Sequence, residues 1–452
     1  MNNKHLLAAL LPLVFATSAF ADSTADSAAL IKRGAYLERG AYLERGAYLA
    51  TAADCTACHT APGAAKNAEF GGGYPLASPF GVIYGTNISS DKQFGIGSWS
   101  DDEFVRAVRD GVGKDGQQLY PAMPYDSFTK MKRDDVLAIK AYLMSLPGVH
   151  EAPAKTDLSF PFNQRWGMTF WKWFNFDKGE LKSDPSKSDD WNRGRYLVDA
   201  MEHCGTCHTP RTLTMGMDNG KTLGGGDLGS WKAFNITSDK NAGIGNWSQQ
   251  ELVTYLKTGF VAGKASASGA MAEAIEHSLQ HLTDADLNAI ATYVRSVPPV
   301  ADKDQTKPRD QWGKPASDVF PDRANAVAFD KSASALFNSN CAACHGASGQ
   351  GIGKGFHAYP SLYNHTSTGA ADSRNLVAVI LTGVQRHMDQ GEVMMPSFAN
   401  QLNDEQVAQI ANYVSTQFGN PAGATVTAKQ VKKVRDGEDR SYPPKIEDGT
   451  QK

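Results

Sequence analysis

One motif, Cys-x-x-Cys-His, takes up every cysteine of this 452-residue chain and occurs three times. The copies are Cys55/Cys58/His59, Cys204/Cys207/His208 and Cys341/Cys344/His345. Residues three and four apart share one side of a helix, so both thiols can reach one flat cofactor while the histidine reaches its centre. This spacing is the attachment signature of c-type haem, and the three copies predict three covalently bound haem c groups.

Zinc binding and dithiol redox chemistry are the alternative interpretations, because a lone Cys-x-x-Cys is often half of a zinc site or a redox pair. All six cysteines belong to a motif that ends in histidine, so none remains to complete a four-ligand zinc site. The haem interpretation is therefore favoured.

The amino terminus has the pattern of a secretory signal peptide. Lys4 begins a short basic region, an apolar run extends from Leu6 to Phe20, and Ala19-Phe20-Ala21 offers small residues at the cleavage positions. We predict a signal peptide at 1–21, export to a bacterial periplasm and a mature start near Asp22. A membrane anchor is the alternative, but the run is shorter than the roughly 20 residues of a spanning helix. The net charge of −3 does not favour nucleic-acid binding.

Length and internal repetition predict three modules. Asn-Ile-Ser/Thr-x-Asp-Lys and Gly-Ile-Gly-x-Trp-Ser follow both the first and the second motif. The predicted fold class is mainly α, with three tandem cytochrome c-type haem domains that have long loops. The boundaries are 30–150 (module one), a linker at 151–190, 191–298 (module two), a linker at 299–330, 331–420 (module three) and a polar tail at 421–452. We expect the tail to be extended or disordered.

Three methionines are candidates for the second axial ligand of iron, which in cytochromes c is commonly methionine sulfur. Met123 follows Trp99 by 24 residues (123 − 99), and Met271 follows Trp247 by the same 24 (271 − 247). For module three we choose Met395, which precedes a proline as Met123 does.

Other interpretations of these methionines stay open. Met388 and Met394 are alternatives in module three, and any methionine can simply fill a core. With His59, His208 and His345 on the opposite faces, three methionine ligands would leave no open iron site. No catalytic residue is then expected.

Several other features have weaker signals. Trp99 and Trp247 either wall a haem pocket or fill the core, and Asn87 and Asn235 are possible propionate donors. Aromatic residues crowd 166–176, which we expect to pack between modules one and two or to dock a partner or a membrane interface. Arg-Gly-Ala-Tyr-Leu occurs three times from Arg33, and only its last copy has a counterpart in module two.

The chain resembles the triheme cytochrome c subunits of membrane-bound bacterial dehydrogenases, the family that includes the gluconate 2-dehydrogenase and alcohol dehydrogenase subunits. The resemblance rests on the three motifs, the doubled repeat elements and the Met-Met-Pro-Ser-Phe run from Met394. It implies a non-catalytic electron-transfer subunit with a flavin- or PQQ-dependent catalytic partner and a small third subunit. It also implies transfer of electrons to ubiquinone and peripheral attachment to the periplasmic face of the cytoplasmic membrane.

The resemblance leaves the substrate and one other functional class open. Gluconate or a related sugar acid or polyol is the preferred substrate of the partner, with the quinoprotein alcohol dehydrogenases as the alternative. A stand-alone haem peroxidase or a soluble electron shuttle is the alternative of another class.

Overall fold

The computed structural model describes residues 38–316 and 333–437. Over these ranges the chain is mainly helical, which confirms the predicted fold class. The predicted signal peptide at 1–21 and the first Arg-Gly-Ala-Tyr-Leu copy at 33–37 lie outside the described residues. None of the described helices is long and apolar enough to cross a membrane.

Module one combines helices with one hairpin. Its elements are α1 (38–52), α2 (Cys55–His59), β1 (Pro75–Ser78), β2 (Gly81–Tyr84), α3 (Asp101–Asp110), α4 (Tyr125–Phe128) and α5 (Arg133–Ser145). The repeated Trp-Ser pair ends in the cap of α3, where Ser100 accepts from the Glu103 N–H and Glu103 accepts from the Ser100 N–H. Gly111 ends this helix with a left-handed φ of 61°.

Module two repeats this order and adds a second hairpin. Its elements are α7 (Asp189–Tyr196), a π-helical turn (Leu197–Met201), α8 (Gly205–His208), β4 (Gly226–Leu228), β5 (Trp231–Ala233), α9 (Gln249–Thr258), β6 (Phe260–Val261), β7 (Ala265–Ser266), α10 (Ala270–His277) and α11 (Asp284–Ser296). Ser248 and Glu251 form the same capping box at the start of α9. The repeated sequence therefore builds the same local structure twice.

Module three is smaller and continues into the tail. Its elements are α12 (Ala333–Asn340), α13 (Ala342–His345), α14 (Arg374–Thr382), β8 (Val384–Met388), β9 (Gly391–Met395), α15 (Asp404–Phe418) and, in the tail, α16 (Ala428–Asp436). Strands β8 and β9 pair antiparallel with Arg386 opposite Val393.

The hydrophobic core is not divided equally among the modules. Buried residues of modules one and two, such as Leu49, Ile139, Leu197 and Ile290, form one continuous cluster. Module three has a separate core around Phe337, which is fully buried. Modules one and two therefore form one packed unit.

The first linker carries structure of its own. It contributes strand β3 (Asp157–Leu158) to the β1–β2 sheet and forms helix α6 (Gly167–Asn175). Trp171 packs edge-on against Tyr125 of module one and donates through Nε1 to the Thr214 carbonyl of module two at 2.9 Å. Packing between the modules is thus confirmed for this side of the helix. The aromatic side chains on its other side are exposed: Trp166, Phe170, Trp173 and Phe174.

The expectation of an extended or disordered tail is wrong for its first part. Helix α16 begins at a capping box of Thr427 and Gln430 and buries Val431 completely. Arg435 binds Asp404 at 2.7 Å and the Leu402 carbonyl at 2.7 Å. The buried valine and the anchored arginine stabilise the packing of this helix against α15.

Candidate haem-binding sites

The three motifs form short helices, as their spacing requires. Burial raises the pKa of the Cys55, Cys58 and Cys341 thiols to about 12, and it also raises the pKa of Cys204 and Cys207. Dithiol redox chemistry needs the opposite, a thiol with a lowered pKa that supplies thiolate near neutral pH. The surroundings of these five thiols therefore favour covalent attachment of a cofactor over a dithiol redox pair.

The two thiols of the third motif have different surroundings. Cys341 directly follows α12 and packs against the core around Phe337, whose carbonyl accepts from the Cys341 N–H at 2.8 Å. Cys344 lies three residues further along, half-buried in α13, and belongs to neither hydrophobic cluster of the described residues. Haem attachment by Cys344 remains a prediction that depends on the motif spacing alone.

Each motif histidine uses its Nδ1 in the same way. The ring nitrogen lies close to a backbone carbonyl oxygen in all three modules: His59 and Thr86 at 2.7 Å, His208 and Phe234 at 2.6 Å, and His345 and Pro360 at 2.9 Å. A carbonyl only accepts, so Nδ1 carries the proton and Nε2 keeps its lone pair for a metal. Burial also lowers the pKa of all three imidazoles, which favours the neutral form that binds iron.

In module two the structure brings both predicted axial ligands to one cavity. Met271, in the first turn of α10, lines the same cavity of about 240 Å³ as Cys204, Cys207 and His208. Met271 and His208 lie 63 positions apart in sequence (271 − 208), so the fold is what brings them together. A His/Met iron site needs both residues in one cavity, and ligation by Met271 remains a prediction.

The other two methionines have less specific surroundings. Met123 is half-buried and packs against the core that modules one and two share. Met395 lies half-buried on β9, whereas its neighbour Met394 points outward and is 69% exposed. Met388, the other alternative, packs against the core shared by modules one and two. Ligation by Met123 and Met395 remains a prediction.

The cavity of module two fits a haem group in its apolar lining. Its walls are mainly large apolar or aromatic side chains: Leu228, Ile236, Ile244, Trp247, Leu252 and Tyr255. Trp247 is buried in the core as well, so the two roles considered for it coincide. An apolar cavity that carries the attachment thiols at one side matches a porphyrin plane.

Two buried donors complete the fit. The Nε atom of Arg309 and the Nε1 atom of Trp231 belong to cavity-lining side chains and have no hydrogen-bond partner among the described residues. A buried polar atom without a partner is costly, at about 1–3 kcal/mol. Haem carries two carboxylates, which are acceptors of the kind these donors lack.

Modules one and three also contribute to this cavity. Asp54, which precedes the first motif, lines it from one side, and Thr366, Ser367 and Asn375 line it from module three. Burial raises the pKa of Asp54 well above its ordinary value, which favours the neutral carboxyl. Residues of all three modules thus line the cavity of the second motif.

The repeated asparagines have a role inside the protein. The Nδ2 group of Asn87 donates to the carbonyls of Val149 and Glu151 at 2.7 and 3.1 Å, and that of Asn235 donates to Val300 at 2.6 Å. Both amide hydrogens of Asn87 are used, so the hypothesis that it binds a propionate is wrong. These residues fasten the repeated loop to the chain that follows each module's last helix.

Sequence reasoning missed Arg309, Trp231 and Asp54. Arg309 lies in a segment whose composition suggests a linker. The repeated asparagines are 148 residues apart (235 − 87), so Trp231 aligns with Ile83 of module one (231 − 148). Neither position carries a repeated signal. Asp54 could have been noticed from its place directly before Cys55.

Comparison with known proteins identifies relatives along most of the chain. The family model for cytochrome c matches residues 43–147 and 331–418. The chain is 46% identical over 402 residues to the fructose dehydrogenase cytochrome subunit of Gluconobacter japonicus. This match covers 86% of this chain and 81% of the relative. It is 35% identical over 456 residues to the gluconate 2-dehydrogenase cytochrome c subunit of Pantoea cypripedii, with 96% of each covered. It is also 35% identical over 439 residues to the alcohol dehydrogenase (quinone) cytochrome c subunit of Gluconacetobacter polyoxogenes, with 94% and 88% covered.

Proposed function

We propose that this chain carries three haems and serves a sugar-oxidising dehydrogenase. The chain belongs to the family of cytochrome c subunits of sugar, sugar-acid and alcohol dehydrogenases. It is therefore an electron-transfer subunit with covalently bound haem c. The observation that carries the proposal is the common Nδ1 arrangement of His59, His208 and His345. Three motifs whose histidines are held in the same way support three occupied sites, not two.

The roles of the side chains follow from this assignment. Haem, when bound, supplies a one-electron redox centre at its iron. The cysteine thiols would fix it to the chain, and the histidine Nε2 atoms and the methionine sulfurs would bind the iron. We assign the methionine positions to Met123, Met271 and Met395. With these ligands, the iron would transfer electrons and would offer no open position to a substrate.

The identity of the electron donor is proposed from the relatives. Identity is 46% to the subunit that serves fructose dehydrogenase and 35% to the one that serves gluconate 2-dehydrogenase. This difference favours a partner that oxidises a sugar such as fructose, with gluconate as the second candidate. The partner is a flavin- or PQQ-dependent catalytic subunit, accompanied by a small third subunit.

The route of electrons is proposed from the cavity of module two. Asp54 of module one and Asn375 of module three both line it, which supports a middle position for the second site. Electron tunnelling weakens steeply with distance, so neighbouring sites exchange electrons first. The first and third sites would then be the ends of the path, with ubiquinone as the final acceptor.

The place of the complex is proposed to be the periplasmic face of the cytoplasmic membrane, attached peripherally. The signal-peptide pattern at 1–21 supports export. Separation of soluble and membrane fractions from cells that produce a tagged chain tests this. A chain recovered from the soluble fraction without a partner would contradict it.

Two measurements test the function. The intact mass of the purified chain should exceed the processed polypeptide by three haems, and the colour should survive denaturation and acid extraction. The complex purified from membranes should reduce its own haems when fructose is added, with gluconate and ethanol as comparison donors, and should then reduce a ubiquinone analogue. A chain with fewer than three haems, or haems that none of these donors reduces, would contradict the proposal.

A further inference from the structure

Arg309 reaches the cavity of module two from the second linker. It lies in a short helical turn (Arg309–Gln311), and only 9% of it is exposed. Its Nη1 donates to the Ala242 carbonyl and its Nη2 to the Asn235 carbonyl at 3.2 Å. The guanidinium also stacks on Phe234 with 4.5 Å to the ring centroid, the residue whose carbonyl holds His208.

The buried charge of Arg309 has no ion-pair partner in the described part of the chain, and the more distant Asp310, Asp302 and Asp239 raise its pKa by less than burial lowers it. Its hydrogen-bond acceptors are carbonyl oxygens, and no carboxylate of the described residues lies within ion-pair distance. Asp310, next in sequence, pairs with Lys264 at 3.1 Å. Burial lowers the pKa of Arg309 only to about 10, so the group stays charged at neutral pH. A buried cation without an ion-pair partner is strongly unfavourable, so an anion that binds at this position would be stabilised.

Trp231 presents a second donor to the same cavity. It begins β5 and is 5% exposed, and its Nε1–H is buried without a partner among the described residues. The aligned position of module one is Ile83, which has no donor. The pair of donors therefore belongs to module two and is not a common property of the repeat.

We propose that Arg309 and Trp231 bind a propionate of the haem in module two, and that the charge of Arg309 raises the reduction potential of this site. The proposal rests on the proposed function, because it needs a haem on the second motif. Oxidation adds one positive charge at iron, and a fixed cation in a low-dielectric cavity opposes that charge. The second linker thus tunes the site that lies between the other two.

A redox titration of the full chain, followed by its visible absorbance and fitted with three one-electron components, tests the proposal. Arg309→Gln should lower the reduction equilibrium constant of one component by about tenfold, which is about 59 mV for one electron. Trp231→Phe keeps an aromatic ring and removes the N–H, so the reduction equilibrium constant of the same component should fall by a smaller factor. Arg309→Lys keeps the charge, so it should lower this equilibrium constant least.

Lys307→Gln is the matched control, because Lys307 is an exposed cation two residues away. It should leave all three components unchanged. The intact mass of each variant is measured first. A wild-type chain without a haem on the second motif would contradict the proposed function itself. If the wild type carries three haems, the proposal is overturned when Arg309→Gln leaves the reduction potential of every component unchanged. Should Arg309→Gln fail to take up its haems, an unchanged titration of Trp231→Phe overturns it.

Discussion

The hydroxyl of Tyr48 in module one donates a hydrogen bond of 2.6 Å to the carboxylate of Asp286 in module two. Tyr196 of module two returns the contact, with 2.6 Å from its hydroxyl to Asp135 of module one. Each aspartate also binds the arginine of its own module: Asp286 binds Arg193, and Asp135 binds Arg45. The two copies of Arg-Gly-x-Tyr-Leu therefore hold each module together through arginine and join the two modules through tyrosine.

Removing one of these hydroxyls should loosen the joint between modules one and two. Tyr48→Phe leaves a charged carboxylate with one donor fewer, and a hydrogen bond to a charged group contributes about 1.5–3 kcal/mol. We expect a lower midpoint in thermal unfolding of the full chain, and a similar decrease for Tyr196→Phe. Tyr42→Phe is the control, since Tyr42 belongs to the duplicated copy and is 37% exposed. Equal midpoints for Tyr48→Phe and Tyr42→Phe would contradict this role.

The same joint should weaken in acid. Burial raises the pKa of Asp286, but the hydrogen bonds from Arg193 and Tyr48 outweigh it, so the pKa lies below its ordinary value. A carboxyl with a lowered pKa stabilises the fold fully above its unfolded pKa of about 3.9, and this contribution is lost as the pH falls through the folded value. The difference in unfolding midpoint between the wild type and Asp286→Asn should be largest near neutral pH and shrink below about pH 4. A difference that stays constant as the pH falls through that range would argue against it.

The sequence predicts what depends on near neighbours along the chain. The motif spacing assigned the six cysteines and three histidines, because attachment of a porphyrin needs residues within one helical turn. The repeated Trp-Ser pair precedes matching helices at Asp101–Asp110 and Gln249–Thr258, since a cap and its helix are adjacent in sequence. The equal offsets of Met123 and Met271 could be used because repeated modules fold alike.

Contacts between distant segments could not be predicted in this way. Arg309 enters the cavity of module two from a segment whose composition suggests a linker, and the Tyr48–Asp286 bond joins residues 238 positions apart. No periodicity marks such pairs. Val431 and Val434 are three residues apart, which is a weak indication of the tail helix. The many lysines around these valines obscured it.

The glycines of the repeated motif should be intolerant of a side chain. A Cβ at Gly194 would overlap the Ala289 carbonyl and lie 2.9 Å from the Cβ of Tyr293, and a Cβ at Gly46 would meet Ala138 in the same way. Gly194→Ala should destabilise the chain by about 1–3 kcal/mol, because overpacking forces the two helices apart. Gly40→Ala is the matched control in the duplicated copy.

At Gly40 an added Cβ meets nothing within 4 Å, so alanine should be neutral or stabilise helix α1 by up to about 1 kcal/mol. Urea unfolding of the two variants measures both effects. A loss of stability is expected for Gly194→Ala only, and a loss of similar size in both would show that the close helix contact at Gly194 is not what matters.

Module three offers a direct test of its axial ligand, because two adjacent methionines differ in exposure. Met395 is half-buried on β9 while Met394 is 69% exposed, so of these two neighbours Met395 is the better placed to approach a buried iron. Met395→Ala should change the ferric absorbance spectrum of one haem out of three and lower its reduction potential, since the sulfur ligand favours the reduced metal. Met394→Ala should leave the spectrum unchanged. The reverse outcome would move the ligand to Met394, and no change in either variant would favour Met388, whose replacement by alanine is then the deciding measurement.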